Sequence, residues 1–430
     1  MKRRIGVLVG ILVVCSSNDL QAQSGEFAKA ESRTQGAWKV SSKQLERLDE
    51  FMNDAVDAES VVGASALVLQ DGKEAYFRAW GYQDRESGVS VSRDTIFRIY
   101  SMTKPITSVA AMQLIEQNKM GLDDPVEKYI KSFGGLRVAS GAKQDVTDPS
   151  SGKHAMTIRD LMRHTSGLTY GFFDVTNSID QIYLQKNVVD SSKDLAEMVE
   201  VLSTIPLKHT PGTQFEYSVS TDVLARVIEV VSGQRFDHYL QKNIFDPLGM
   251  NDTSFYVPTE KRDRLAVMYS DDGAGGLTIA SPEASARFIS ESNLMFSGGG
   301  GLCSTIDDYA KFATMLMRQG LHSNGDRVIR STSIQKMFTN QLVGIALPPR
   351  TLLNQEAPWC VEGFEFGLGF SIDQTEWGND YTWNGIAGTQ FWLNPESGTV
   401  ILYMVQVFPL MGHDLAGDVR RLVYQSLIKD

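Results

Sequence analysis

Apolar positions recur at helical spacing in "SSKQLERLDEFMNDAVDAE", through Leu45, Leu48, Phe51 and Val56, and predict a first helix. "GASALVLQDGKEAYFRAWGY" then reads as two strands around Asp71-Gly72, a dipeptide suited to a two-residue hairpin turn. An apolar helix opens within "FRIYSMTKPITSVAAMQLIEQNKMG". From about residue 122 to 300 the pattern is mainly helical with long loops, clearest in "TIRDLMRH", "SKDLAEMVEVLS", "STDVLARVIEVVSG" and "RFDHYLQKNIF". The polar run "ASGAKQDVTDPSSGKH" reads as a surface excursion, and "SGGGGLCSTIDDYAKFATMLMRQG" as a glycine-rich loop entering a helix. Late in the chain "FEFGLGFSID", "YTWNGIAG", "TQFWLNP" and "TVILYMVQVF" alternate like strands, before a final amphipathic helix from about Asp414 to Lys429.

Two early strands and about three late ones must share a sheet, because isolated hairpins are marginal. The expected fold is α+β. A five-stranded, mostly antiparallel sheet flanked by terminal helices comes from residues about 40–120 and 340–430, and a helical subdomain of about 121–339 is inserted between them. There is no internal repeat.

The opening "MKRRIGVLVGILVVCSSNDLQAQ" changes the picture of where the protein works. Lys2, Arg3 and Arg4 precede an apolar run too short to span a bilayer, so residues 1–22 are expected to be a signal peptide cleaved after Ala22. The alternatives are an uncleaved anchor or a lipid anchor at Cys15. Residues 23–430 are then exported, to the periplasm, with no membrane segment remaining. Loss of the three basic residues and Asp19 takes the formal net charge from −11 to −13. An acidic chain without a basic run argues against nucleic-acid binding. Cys303 and Cys360 either pair or remain free thiols, and their spacing matches no metal site.

Candidate chemistry centres on Ser101 and Lys104, three residues apart where a helix begins. That spacing puts both on one face. Burial and the positive helix end disfavour the ammonium, and a neutral amine beside a hydroxyl is a base for activating it. The motif alone is not decisive. Ser-x-x-Lys also occurs at Ser140, Ser150, Ser333 and Ser426, and an N-cap serine followed by a surface lysine has the same pattern. Tyr217 alone reads as a half-buried aromatic at a helix start. His164 reads as part of a structural turn, Asp307 and Asp308 as residues capping and charging a helix start, and Cys303 as a small buried side chain.

Order along the chain adds what single motifs lack. "YSMTKP", "TIRDLMRHTSGLTYG", "FEYSVSTDVLARVIE", "FDPLGM", "GGGGLCSTIDDYAKF" and "WNGIAGTQFWLNPESG" resemble, in order and approximate spacing, the serine hydrolases related to class C β-lactamases. The resemblance covers about nine tenths of the chain, from about Lys43 to the last helix, and is closest to the family VIII carboxylesterases. It implies a β-lactamase/penicillin-binding-protein-like fold in which Ser101 is acylated, Lys104 is its base partner and Tyr217 relays a proton. Which of Lys104 and Tyr217 takes the first proton stays open. The resemblance also implies an oxyanion hole from the amides of Ser101 and Ile386, and a substrate cleft lined by Trp383, Asn384, Gly385, Val219 and Tyr170. No metal or cofactor is implied.

Two departures bear on the substrate. β-Lactamases and penicillin-binding proteins carry lysine where Trp383 stands and asparagine where Val219 stands. Two polar contacts have become apolar, which favours an uncharged short- to medium-chain ester and leaves only weak β-lactam binding. A β-lactamase, a D-alanyl-D-alanine peptidase and a non-catalytic cell-wall-binding relative remain as alternatives on the same fold. A Ser-His-Asp esterase is disfavoured by the absence of G-x-S-x-G. A metalloenzyme is disfavoured by the absence of His-x-x-x-His and Cys-x-x-Cys.

Overall fold

The early hairpin forms where its sequence places it. Strand β1 (Gly63–Gln70) turns into β2 (Lys73–Asp84) through Asp71 and Gly72, both at positive φ (52° and 74°), the conformation that matches the twist of the flanking strands. The computed structural model describes residues 38–140, 145–147, 155–322, 324–348, 363–408 and 414–429. Residues 1–22, Ser150 and Cys360 lie outside them.

The expected five-stranded sheet is corrected to eight strands among the described residues. The others are β3 (Val89–Ser90), β4 (Glu365–Phe366), β5 (Ser371–Thr375), β6 (Gly378–Asn384), β7 (Gln390–Asn394) and β8 (Thr399–Val405). They run in the order β4-β5-β6-β7-β8-β1-β2-β3, each antiparallel to its neighbours. Part of the difference comes from "FEFGLGFSID", which is two strands. Gly369 at φ 96° reverses the chain and Gly367 N donates to Phe370 O.

β8 pairs with β1 and so joins the two ends of the chain, and all seven of its residues are buried. Its unbroken apolar run follows from cover on both faces. On one face, helices α1 (Ser42–Asp57) and α5 (Leu415–Gln425) pack Leu45, Leu48, Met52, Val419 and Val423 against Ala64, Val68, Ile401 and Tyr403. The other carries helix α4 (Ile306–Met317), where Tyr309 meets Phe391 at 5.2 Å between ring centres. The terminal helix ends before the expected Lys429. Ser426 folds its hydroxyl onto Val423 O, and Leu427–Lys429 pairs as a strand with Trp38–Val40.

Helix α2 (Thr103–Glu116) is the pivot for the site. Residues 103–114 are all buried, which requires cover on every side. α2 packs against helix α3 (Ser220–Ser232), and this contact brings the segment before α3 to the start of α2. Among the described residues no helix is long and apolar enough to cross a membrane.

Candidate active site

The chain reaches Ser101 through a constrained turn. Phe97–Arg98 pairs with Cys303–Ser304, and Ile99 N donates to Leu302 O at 3.0 Å. Tyr100 then adopts φ 40°, a conformation that costs a non-glycine residue about 1–3 kcal/mol. Ring contacts with Phe288 (5.2 Å) and Phe408 (5.7 Å) hold it there. Ser101 therefore lies in a tight 3₁₀ turn, Tyr100–Met102, just ahead of α2 and not in the α-helix itself. The expected proximity to Lys104 survives, because residues three apart are nearly superposed in a 3₁₀ turn.

Lys104 is 1% exposed. Its Nζ has three partners: Gly299 O at 2.6 Å, Tyr170 Oη at 2.9 Å and Ser101 Oγ at 3.1 Å. Burial pulls its pKa down to about 7; Asp222 opposes the shift and Arg287 adds to it. A neutral amine has two N–H groups and one lone pair. The carbonyl of Gly299 can only accept, so it takes one N–H, and the Tyr170 oxygen can take the other. The lone pair is then left for the Ser101 hydroxyl.

Tyr217 faces the same amine, which lies 4.5 Å from its ring centre. Its hydroxyl is hydrogen-bonded to Ser101 and accepts from Trp383 Nε1 at 3.1 Å. Burial raises its pKa, so the phenol keeps its proton at neutral pH. Trp383 thus spends its one N–H on the tyrosine, and its ring packs 5.2 Å from both Tyr217 and Phe366. Tyr170 also has its pKa raised by burial.

β6 delivers Trp383 and Asn384 to the site, and Gly385 follows immediately. A Cβ on Gly385 would lie 2.6 Å from Ile99 O and would collide with Thr389 Oγ1. Only glycine lets the strand end approach the serine turn so closely. Gly385→Ala is expected to destabilise the protein by about 1–3 kcal/mol, read as a lower denaturation midpoint, because backbone would have to move. Ile386 is exposed, while Val219 is fully buried at the start of α3.

Two further residues belong to this site that the sequence does not single out, though Asp222 lies within the "FEYSVSTDVLARVIE" segment. Asp222, 1% exposed, accepts from Ser297 Oγ and, at 3.0 Å, from Gly299 N. It thereby holds the loop whose carbonyl binds Lys104. A Cβ on Gly299 would lie 2.5 Å from Asp222 Oδ2 and 2.9 Å from Tyr170 Oη, which accounts for a glycine there. The only signal in the sequence is a carboxylate just ahead of the buried apolar residues of "STDVLARVIE". Arg287 donates to Gly300 O at 2.9 Å.

The remaining candidates are placed elsewhere or in supporting positions. His164 is buried at φ 56°, and its Nδ1 accepts from Ser218 N at 3.3 Å. Its ring lies 4.7 Å from Tyr217, and burial holds its pKa well below the usual range. Ser333 is bonded to Glu116, and Ser426 to Val423 O. Thr305, not an aspartate, caps α4; Asp307 pairs with Arg93, and Asp308 accepts from Asp252 N. Cys303 is buried and free, its thiol pushed up to about 12 by burial.

A sheet backed by helices, with a serine turn and a buried lysine where the two layers meet, defines a serine hydrolase of the β-lactamase-like superfamily. The chain belongs to the beta-lactamase family, whose model matches residues 48–425. Protein Rv1367c of Mycobacterium tuberculosis (strain ATCC 25618 / H37Rv) is 31% identical over 380 residues, covering 86% of this chain and 91% of that one. Esterase EstB of Burkholderia gladioli is 33% identical over 276 residues, 61% of this chain and 67% of its own. Among solved structures, EstCE1, described as a hydrolase with promiscuous acyltransferase activity, superposes with TM-score 0.70 at 24% identity over 89% of this chain and 98% of that one.

Proposed function

We propose that the protein is a serine carboxylesterase of the family VIII type, exported and cleaving short- to medium-chain esters through an acyl-Ser101 intermediate. The observation that carries this reading is the set of three partners around Lys104, which leaves its lone pair for Ser101 Oγ–H. Lys104 takes the proton first, because its pKa is lowered to about 7 while that of Tyr217 is raised. Ser101 Oγ then attacks the ester carbonyl carbon. The N–H groups of Ser101 and Ile386 donate to the developing oxyanion, a contribution of about 2.7–4 kcal/mol per donor in comparable sites. Tyr217 donates its phenolic proton to the departing alkoxide and regains one from Lys104. Water then attacks the acyl carbon as the same pair takes its proton, and the bond to Ser101 Oγ breaks as that proton returns to Oγ and the carboxylic acid leaves.

An ester is favoured over a β-lactam because the indole N–H of Trp383 is already bonded to Tyr217 and Val219 is fully buried. Neither offers a group to a substrate carboxylate or acyl amide. Phe172, 39% exposed, stacks with Tyr170 at 5.2 Å and extends an apolar wall to the surface. The similarity to EstB, an esterase, supports the same choice. The test is hydrolysis of a p-nitrophenyl ester series beside nitrocefin. Faster turnover of the esters is expected, and comparable or faster nitrocefin turnover would make the protein a β-lactamase.

The pH dependence follows from Lys104. Only the neutral amine accepts the serine proton, so kcat/KM is expected to rise with pH through about 7 and then level off. A profile that instead falls across that range would refute Lys104 as the base.

A further inference from the structure

A guanidinium with no carboxylate partner among the described residues stands beside the reacting groups. Arg287 lies on the Glu283–Ile289 helix and is half-buried. Its Nη2 donates to Gly300 O at 2.9 Å, while Lys104 Nζ donates to the preceding carbonyl, Gly299 O. The two side chains therefore hang from successive carbonyls of one loop. The Arg287 guanidinium carbon is 5.6 Å from the ring centre of Tyr100, the residue before Ser101, and 4.6 Å from that of Phe288.

The surroundings leave this charge open. Among the described residues Arg287 forms no ion pair, and one hydrogen bond uses one of its five N–H groups. A second guanidinium, that of Arg98, lies 5.7 Å from the Phe288 ring centre. It is buried and, among the described residues, donates to oxygens of Ala266 and Gln406. Its Nε has no partner among the described residues. The carboxylate of Asp222, on α3, is turned toward Ser297 and the Gly299 amide. In a chain of formal net charge −11, the described residues at the Tyr100 end of the site thus make it locally positive.

We propose that Arg287 recognises a carboxylate carried by the ester, so that the substrates are monoesters of dicarboxylic acids or carboxylate-bearing esters of hydroxy acids. The proposal rests on the esterase reading above. It differs from the resemblance-based expectation of an uncharged ester: Trp383 and Val219 supply no polar contact, and the cation comes from another part of the chain. A guanidinium fork suits a carboxylate because two N–H groups can meet two oxygens.

The experiment compares kcat/KM for matched anionic and neutral esters in the wild type, Arg287→Gln and Arg287→Lys. Mono-p-nitrophenyl succinate against p-nitrophenyl butyrate puts the charge on the acyl side; 3-carboxyphenyl butyrate against phenyl butyrate puts it on the alcohol side. The anionic-to-neutral ratio cancels any change in groups common to both reactions. In at least one pair, Arg287→Gln is expected to lower the ratio by about ten- to hundredfold, as loss of a charged hydrogen bond does. Arg287→Lys should retain part of it, and added salt should lower the wild-type ratio. Ratios unchanged in both pairs, or equal loss on anionic and neutral esters, would overturn the proposal and leave Arg287 as a support of the glycine loop. Failure of the wild type to hydrolyse the neutral esters as well would instead remove the esterase reading.

Discussion

Ser101→Ala is expected to lower ester turnover by at least about 10³-fold, because acyl transfer loses its attacking atom while binding and oxyanion contacts remain. Among the described residues no other hydroxyl is positioned to substitute. Tyr170 and Tyr217 keep their protons because burial raises both. Of the other Ser-x-x-Lys serines, Ser333 and Ser426 are bonded elsewhere in the fold. The mutation removes one small polar group from a turn held by Tyr100 and its ring contacts, so the melting temperature is expected to stay within about 2–4 °C. Turnover near the wild-type level in a folded Ser101→Ala protein would end the assignment.

Lys104→Met is expected to cost about 10²–10⁴-fold in kcat/KM, the usual contribution of a positioned base. Methionine nearly preserves the side-chain length in a position that is 1% exposed, so the loss reports chemistry more than packing. Lys104→Arg should not rescue it. Guanidinium stays protonated at any working pH and has no lone pair to offer. The remaining activity should also lose the rise through about pH 7 that belongs to the amine. A Lys104→Met enzyme that kept both its rate and that rise would assign the base to another residue.

Local chemistry in this chain was legible where neighbours in sequence decide it. The turn at Asp71 and Gly72, the buried run of β8 and the three-residue step from Ser101 to Lys104 all follow from short-range rules. Strand count did not. The reversal at Gly369 splits one apparent strand into two, and the short polar strand Val89–Ser90 has no alternating pattern to announce it. The site divides the same way. Trp383 could be seen as the loss of a lysine, but not as the donor to Tyr217, since that bond joins residues 166 positions apart. Arg287 carries no motif and Asp222 is an unremarked member of one, and their importance arises only when α3 and the Glu283–Ile289 helix converge on the glycine loop. Which residue takes the first proton is likewise a matter of burial, which spacing does not encode.

The most direct measurement is the mass of the protein after reaction with a p-nitrophenyl phosphonate ester, followed by peptide mapping. Attack by an activated serine expels p-nitrophenolate and leaves the phosphonyl group on oxygen. One adduct per chain is expected, on the peptide containing Ser101, with ester hydrolysis lost in proportion and no adduct in Ser101→Ala. Labelling at any other residue, or full hydrolytic activity with Ser101 unmodified, would contradict the mechanism at its first step.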